Sequence, residues 1–359
     1  PNEEEDFILT ITNDGQEGSI LDYDISLSPF GDIILDVDEG GYAWLSSLSS
    51  DEILYDWEDV SEEANLLSFE HNDYAEGPLP IGFSFPFYGE NYDELIVSPN
   101  GWVGFGEDNY GWNNQAVFSE DSPNNAIFAF WDDLNPESSL DNAVGSGNVY
   151  IDSNSERCII WYDHVSHWTS LNRIYDFQLI LYPDGSISIN YREMLEDTDS
   201  ATIGIVNQTG EIGQQVVYND DFIEDELSIR FKGSPTWIDY YQVTGEDTSL
   251  EYNESNFYSI NINSHNLPQG NYSASLIIDP EGLFYQTVPI NLTILEFDII
   301  LGDSNFDGLI NVLDIVNIMG FIIESSIPTP LEAEASDINQ DNFLDVLDVV
   351  TIVNIILSE

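Results

Sequence analysis

Basic residues are nearly missing from this chain. Five Lys plus Arg stand against 68 Asp plus Glu in 359 residues, a formal net charge of −63. A phosphate backbone is bound by neutralising it with cations, so nucleic acid is excluded as a partner. Docking on an anionic membrane surface fails for the same reason. Long apolar runs are missing too: none reaches the ~18 residues of a spanning helix, and membrane insertion is not expected. The opening PNEEEDF has neither a basic region nor an apolar core, so no signal peptide is expected in this numbering. Cysteine is down to Cys158, which excludes an intrachain disulfide. In the strand-like run RCIIWYD it reads as an inert core residue, not as a reactive thiol. Catalytic signatures are absent as well: there is no HExxH, no G-x-S-x-G and no phosphate loop. The histidines are His71, His164, His167 and His265. His164 and His167, three apart in a strand-like run, fall on opposite faces, and no third zinc ligand is suggested.

What is present argues for a folded chain. Apolar residues make up 42 % and aromatics 13 %, which a disordered acidic tail would lack. The length suits two to four domains with real cores. Such acidity is tolerated where ions screen self-repulsion, in salt water or a calcium-rich exterior, and the chain is expected to be secreted, at or beyond the cell surface. The bases Arg157, Arg173, Arg192, Arg230 and Lys232 cluster between 157 and 232. They read as ion-pair partners within one folding unit, with a binding patch as the alternative.

Before residue 300 the pattern is that of half-buried strands, with one apolar face at period two. Phe7, Leu9 and Ile11 alternate in this way, as do Ile187, Ile189 and Tyr191, and Val288, Ile290, Leu292 and Ile294. Turn signals separate the runs: NDG at 13–15, SPNG at 98–101, YPDG at 182–185, LPQG at 267–270 and DPEG at 279–282. The fold class expected is mainly β, antiparallel β-sandwich domains followed by a small α-helical calcium-binding module.

Residues 41–232 hold most of the aromatics. FPFYG at 85–89, SPNGWVGFG at 98–106, FWDDLNP at 130–136, FQLILYPDGSISINY at 177–191 and ATIGIVNQTG at 201–210 resemble a nidogen-like β-domain of secreted bacterial proteins. The flanks, 1–40 and 233–298, resemble the first and last strands of a bacterial immunoglobulin-like module. The nidogen-like domain is accordingly expected to be inserted into one immunoglobulin-like domain, because loop tips tolerate insertions. Two separate small domains are the alternative.

After Phe297 the period becomes helical. GDSNFDGLINVLDIVNIMGFII and SDINQDNFLDVLDVVTIVNIIL are copies of one unit, offset by 34 residues. Each opens with acidic and amide residues at alternate positions, the pattern of a loop that wraps hard oxygen ligands around calcium. The ligands expected are Asp303, Asn305, Asp307, Asn311 and Asp314 with the Leu309 carbonyl. In the second copy they are Asp337, Asn339, Asp341, Asp345 and Asp348 with the Phe343 carbonyl. Gly308 takes the sharp turn of the first loop, and Asn342 stands in its place in the second. Asp occupies the last position in both, and neither loop has an amphipathic helix before it. Residues 299–359 thereby resemble a type I dockerin duplication, which implies two structural Ca2+ ions and helices that meet a partner protein. By that resemblance Val312, Leu313, Val346 and Leu347 help to set partner choice, and their repetition would allow binding in two orientations. The polar pair usual there is absent, a departure that bears on a standard cohesin partner. The helices are apolar nearly all round, more than 60 residues can bury alone.

Other candidates read more blandly. Asp132 and Asp133 are turn and strand-end structure, with an extra calcium site as the alternative. Trp112 reads as buried or edge-packed before it reads as a sugar-stacking ring. Four glycosylation sequons begin at Asn207, Asn253, Asn271 and Asn291. The function expected is non-catalytic: extracellular assembly or attachment, through the C-terminal helices or a sheet edge, to another protein or to further copies of this chain. A C-terminal accessory region of a larger secreted hydrolase, such as a subtilisin-like protease, is one alternative. A carbohydrate-binding module is the other, and exposed aromatics would be its sign.

Overall fold

The computed structural model describes residues 4–358 apart from 32, 34, 62–63, 107–109, 138–144, 245–246, 265–266, 268–269, 295–299, 324, 329 and 342. His265, Asn342, part of the LPQG turn and the expected boundary at 298–299 lie outside the described residues. The fold is mainly β, with antiparallel sheets and three small helices near the C-terminus. No described helix is long and apolar enough to cross a membrane. Two compact units are formed, Pro1–Leu267 with Asn271–Leu292, and Pro268–Gly270 with Thr293–Glu359.

Within the first unit, the aromatic-rich stretch makes two sheets. The larger runs in the order Ala43–Ser46, Leu227–Lys232, Ile187–Leu195, Ser170–Leu181, Cys158–His167, Asn148–Ser153 and Asn65–Leu66, with Leu134–Asn135 also paired to Cys158–His167. The smaller runs Gly213–Tyr218, Thr202–Val206, Ala126–Trp131, Trp102–Gly104, Glu90–Val97 and Glu76–Phe87. Alternate residues of both sheets meet in one core. Phe85, Val103, Ile127 and Ile203 come from one sheet, and Ile160, Phe177, Ile189 and Ile229 from the other. Its centre is aromatic, with Tyr162 stacked on Phe177 at 4.5 Å and Phe130 tilted against Tyr175 at 4.6 Å. The tyrosine hydroxyls escape desolvation by donating to carbonyls, Tyr162 to Ser98 and Tyr191 to Ala129, each at 2.6 Å.

The large sheet is not half-buried as its alternation predicts. Ser188 and Asn190 are buried along with Ile187 and Ile189. The segment before residue 62 lies across the second face, where Trp57 and Val60 pack on Ile159, Trp161 and Ile180. Gln178 Nε2 donates to the Glu58 carbonyl at 2.6 Å and Asn190 Nδ2 to the Asp56 carbonyl at 2.9 Å. Polar residues on the outer face therefore bind a strap of main chain in place of water.

The flanking strands form two further sheets. Glu4–Thr12 pairs along its whole length with Ser255–Asn263, which also pairs with Ile238–Gln242. Ile20–Ser28 lies between Ser249–Glu251 and Gly270–Pro280, and Gln286–Ile294 follows on the outside. Residues from before and after the aromatic-rich stretch share cores, Ile11 and Tyr23 with Leu250 and Tyr258 in one of them. Ile11 is buried and Leu9 packs beside it, but Phe7, on the same face, stays 47 % exposed.

Two turns repay a closer look. At Gly101, φ is +79°, and an added Cβ would sit 1.9 Å from the Phe130 carbonyl oxygen, so only glycine fits. In NDG the left-handed residue is Gly18, three residues beyond the motif, while Asn13 Oδ1 accepts the Gly15 N–H at 3.1 Å.

The second unit holds α1 (Val312–Ile322), α2 (Pro330–Ser336) and α3 (Val346–Ser358). α1 packs against α3, and Ile318, Phe321, Ala335 and Ile352 are buried. α2 precedes the second loop as a short helix without an apolar stripe, which the sequence reading does not single out. Seven residues, PLEAEAS, are enough because Pro presets the first turn and Ala and Glu favour helix, without the apolar stripe by which a helix is read from sequence.

Candidate functional site

The two acidic loops are built alike. In the first, Asp303 Oδ1 accepts the Asp307 N–H at 3.1 Å, Asn305 Oδ1 accepts it at 2.9 Å, and Asp307 Oδ1 accepts the Leu309 N–H at 2.9 Å. In the second, Asp337 Oδ1 and Asn339 Oδ1 accept the Asp341 N–H at 3.1 and 3.0 Å, and Asp341 Oδ1 accepts the Phe343 N–H at 2.9 Å. The last acid ties each loop to the helix that follows. Asp314 accepts from the Asn305 and Asn311 N–H groups at 3.2 and 2.8 Å. Asp348 accepts from the Asn339 and Asp345 N–H groups at 3.4 and 3.0 Å. Asn311 and Asp345 cap their helices through the Leu313 and Leu347 N–H groups. Both loops also turn through a left-handed residue that sequence reading missed, Phe306 (φ +56°) and Gln340 (φ +57°). Neither is a residue type that favours such a turn, so only the backbone reveals it.

The donor set fits a hard divalent cation. Asp303, Asp314 and Asp348 are buried, yet residues 233–359 contain no Lys or Arg to offset them. A buried carboxylate is costly unless paired, and backbone N–H groups supply dipoles, not charge. The loop carboxylates are not drawn into a tight cluster. Among the described residues, the group of three His, Cys, Asp or Glu side chains with ligand atoms within 4.8 Å of one another is Asp163, His164 and Asp176.

That group joins His164 to two carboxylates and leaves out His167, so it is not the histidine pair weighed as a zinc site from the sequence. A bulge, where two residues between Tyr162 and Val165 oppose Asp176 alone, brings the three together across strands, beyond the reach of sequence spacing. It is already served by an internal cation. Arg192 Nε and Nη2 reach Asp176 Oδ2 at 2.6 and 2.5 Å, and the guanidinium sits 4.2 Å from the centre of the Trp57 ring. The charges of Asp163 and Asp176 hold the His164 imidazole above its usual range, against the opposing effect of burial.

The remaining cations are engaged too. Arg157 pairs with Glu58 and Asp152. Arg173 donates to the Asp197 carbonyl and Ser200, Arg230 donates to Ser188, and Lys232 lies over Phe30. Cys158 is buried, and burial pushes its thiol up to about 12.

Asp132 and Asp133 do lie between strands, but in different surroundings. Asp132 is buried, accepts from Ser200 Oγ at 2.6 Å and faces His167 Nε2 at 3.4 Å. Burial and the neighbouring Asp73 and Asp132 push the Asp133 carboxyl up to about 6, against the pull of His167. Trp112, expected to be buried or edge-packed, is not buried: it is 39 % exposed. The loop that carries it is held from beneath by Trp102 and Trp131, leaving the third Trp outside.

On the second unit the four residues expected to choose a partner are all exposed: Val312 62 %, Leu313 58 %, Val346 64 % and Leu347 58 %. The near-equal values come from equivalent places in the first turns of α1 and α3, and Val316 and Val350 extend the pair. An apolar surface repeated in this way is the kind that meets another protein.

No curated protein and no solved structure matches the chain. A family model described as NIDO related matches residues 50–229, which take in the lead-in strap, the smaller sheet and the larger sheet apart from its edge strand Ala43–Ser46 and the end of Leu227–Lys232. That span is half of the chain, and the chain therefore belongs to the NIDO-related family.

Proposed function

We propose that this chain is a secreted, calcium-stabilised and non-catalytic protein of extracellular assembly. Membership of the nidogen-related family suggests an extracellular module without enzymatic activity. In this reading the C-terminal unit is a dockerin-like joint, the flanking strands form an immunoglobulin-like domain, and the two loops each hold one Ca2+. Asp303, Asn305, Asp307, Asn311 and Asp314 with the Leu309 carbonyl would hold the first ion. Asp337, Asn339, Asp341, Asp345 and Asp348 with the Phe343 carbonyl would hold the second. Calcium supplies the positive charge that this part of the sequence lacks and closes each loop onto its helix. One observation carries the reading: two copies repeat one hydrogen-bond register around buried Asp314 and Asp348 with no Lys or Arg between 233 and 359.

The joint's partner is another protein, or a further copy of this one, with an apolar centre against Val312, Leu313, Val346 and Leu347. Light scattering and negative-stain microscopy in millimolar calcium, and again in EDTA, test this. Ordered polymers that dissolve on chelation support self-assembly. A monomer in both conditions removes self-assembly and leaves a separate partner. The double change Leu313→Asp with Leu347→Asp should abolish association but keep the calcium-dependent melting transition. Association unaffected by it would sink the assignment of this surface.

A further inference from the structure

The NIDO-related domain displays aromatic rings outside its core. Tyr74, Tyr110 and Trp112 are all more than a third exposed. The Tyr74 and Tyr110 rings lie 5.0 Å apart at 48°, an open angle, and His71 stands edge-on to Tyr74 at 5.2 Å. Trp112 Nε1 donates to the Tyr110 hydroxyl at 2.8 Å.

These rings are held in place from inside. Buried Trp102 and Trp131 both donate their indole N–H to the Gly111 carbonyl, at 2.9 and 3.0 Å. Tyr74 and Tyr110 form an isolated antiparallel bridge, and the Gly111 N–H reaches the Asp73 carbonyl at 3.4 Å. Rigid tyrosine and tryptophan side chains give contact area at small entropic cost, which suits recognition and not solubility.

The charge beside the rings is negative. Asp73 precedes Tyr74, and Asp133 is crowded by Asp73 and Asp132. Of the chain's five cations, Arg173 reaches Asp132 at 3.9 Å, while Arg157 pairs with Glu58 and Asp152, Arg192 with Asp176, Arg230 with Ser188, and Lys232 lies over Phe30. The same domain already shows the favoured arrangement, with Arg192 between Trp57 and Trp161 and bonded to a carboxylate. Aromatic faces with carboxylates nearby attract a guanidinium or ammonium group through the ring quadrupole and the charge together.

We propose that Tyr74, Tyr110 and Trp112, with Asp73 and Asp133 beside them, form a recognition site for an Arg or Lys side chain of a basic partner segment. The acidic field of the whole chain steers such a segment to the surface, and the rings choose where it stops. This site is independent of the C-terminal joint and of calcium in the two loops.

The test uses the full chain in millimolar calcium and a labelled Gly-Arg-Gly-Arg-Gly peptide, followed by fluorescence anisotropy. Salt at about 0.15 M shortens the Debye length to about 8 Å and suppresses diffuse attraction. Tyr74→Ala with Tyr110→Ala leaves the net charge unchanged and should weaken binding about fivefold or more. Tyr110→Phe keeps the ring and should bind within about twofold of the parent, which separates loss of the face from loss of the fold. Binding should also weaken as pH falls through about 6, where Asp133 takes up its proton. His167, Asp73 and Asp132 face that group, with Arg173 near Asp132 and His71 beside Asp73. Asp133→Asn should flatten this part of the profile. Peptide affinity equal in the parent and the Tyr74→Ala, Tyr110→Ala variant would mean diffuse electrostatics and overturn the site. Binding of a neutral hexasaccharide in place of the peptide, indifferent to salt and lost in that variant, would overturn it in favour of a sugar platform.

Discussion

The NIDO-related domain and the C-terminal unit bury carboxylates by different means. Asp176 is fully enclosed but faces Arg192 and accepts from Trp161 Nε1 at 2.8 Å. Asp132 has Ser200 and His167. Asp303, Asp314 and Asp348 are enclosed to a similar degree, and they accept hydrogen bonds from backbone N–H groups and, for Asp314, from the Ser304 hydroxyl. The first domain carries its counter-charges in its own sequence, whereas the second has no Lys or Arg, and under the proposed reading calcium would supply the missing charge. One chain with so few bases thus concentrates them between 157 and 232, in the domain with the large core, and places none between 233 and 359.

Removing that ion should divide the molecule most sharply. With EDTA, the helical circular dichroism of the C-terminal unit should be lost while the β signal and near-ultraviolet aromatic bands persist. Free calcium a thousandfold above its Kd would stabilise each loop by about 4 kcal/mol, all of it lost on chelation. Asp303→Ala with Asp337→Ala should reproduce the effect in calorimetry. A calcium-dependent transition unchanged in that variant would show the ligands to be elsewhere.

The converse cut is Phe130→Ala. Phe130 is fully enclosed among Tyr175, Phe177 and Tyr191, so its loss should cost about 3–5 kcal/mol in the β transition and leave the calcium-dependent one in place. Arg192→Ala comes next. It strands Asp176 without its cation and should cost about 3 kcal/mol, and Asp176→Asn in the same background should restore much of that. Equal melting temperatures for the single and double variants would remove the role given to Arg192.

The smallest effect has a defined sign. The folded-state Asp133 carboxyl is raised to about 6, well above the ~3.9 of an unfolded Asp, so the native state binds the proton more tightly. Its contribution favours the fold below about pH 4 and declines as pH rises to about 6. Asp133→Asn should therefore stabilise the domain at pH 7, by on the order of 1 kcal/mol for a partly exposed group. Destabilisation at pH 7 instead would mean that the carboxylate makes contacts worth more than its burial costs. Stabilisation together with weaker peptide binding is the pattern of a residue kept for function.

Local pattern carried much of the architecture. Period two with Pro–Gly turns announces antiparallel β-structure, and strands form at Ile187–Leu195 and Gln286–Ile294, although burial alternates only in the second. The 34-residue offset lines up Asp303 with Asp337 and Asp314 with Asp348, because ligand spacing in a loop is a property of consecutive residues. Other features depend on residues far apart in the chain, which no local period records. The strap over Gln178 and Asn190, the meeting of Asp163, His164 and Asp176 at a bulge, and the pinning of Gly111 by Trp102 and Trp131 are of this kind. So is the exposure of Trp112, next to a Gly111 carbonyl that two buried tryptophans hold from within. Composition and spacing alone determined fold class, the charge, and the repeat of two acidic loops in a stretch without Lys or Arg. Which acids meet a base, and which rings are left outside, was decided by tertiary structure, because burial and pairing are set by neighbours that only folding brings together.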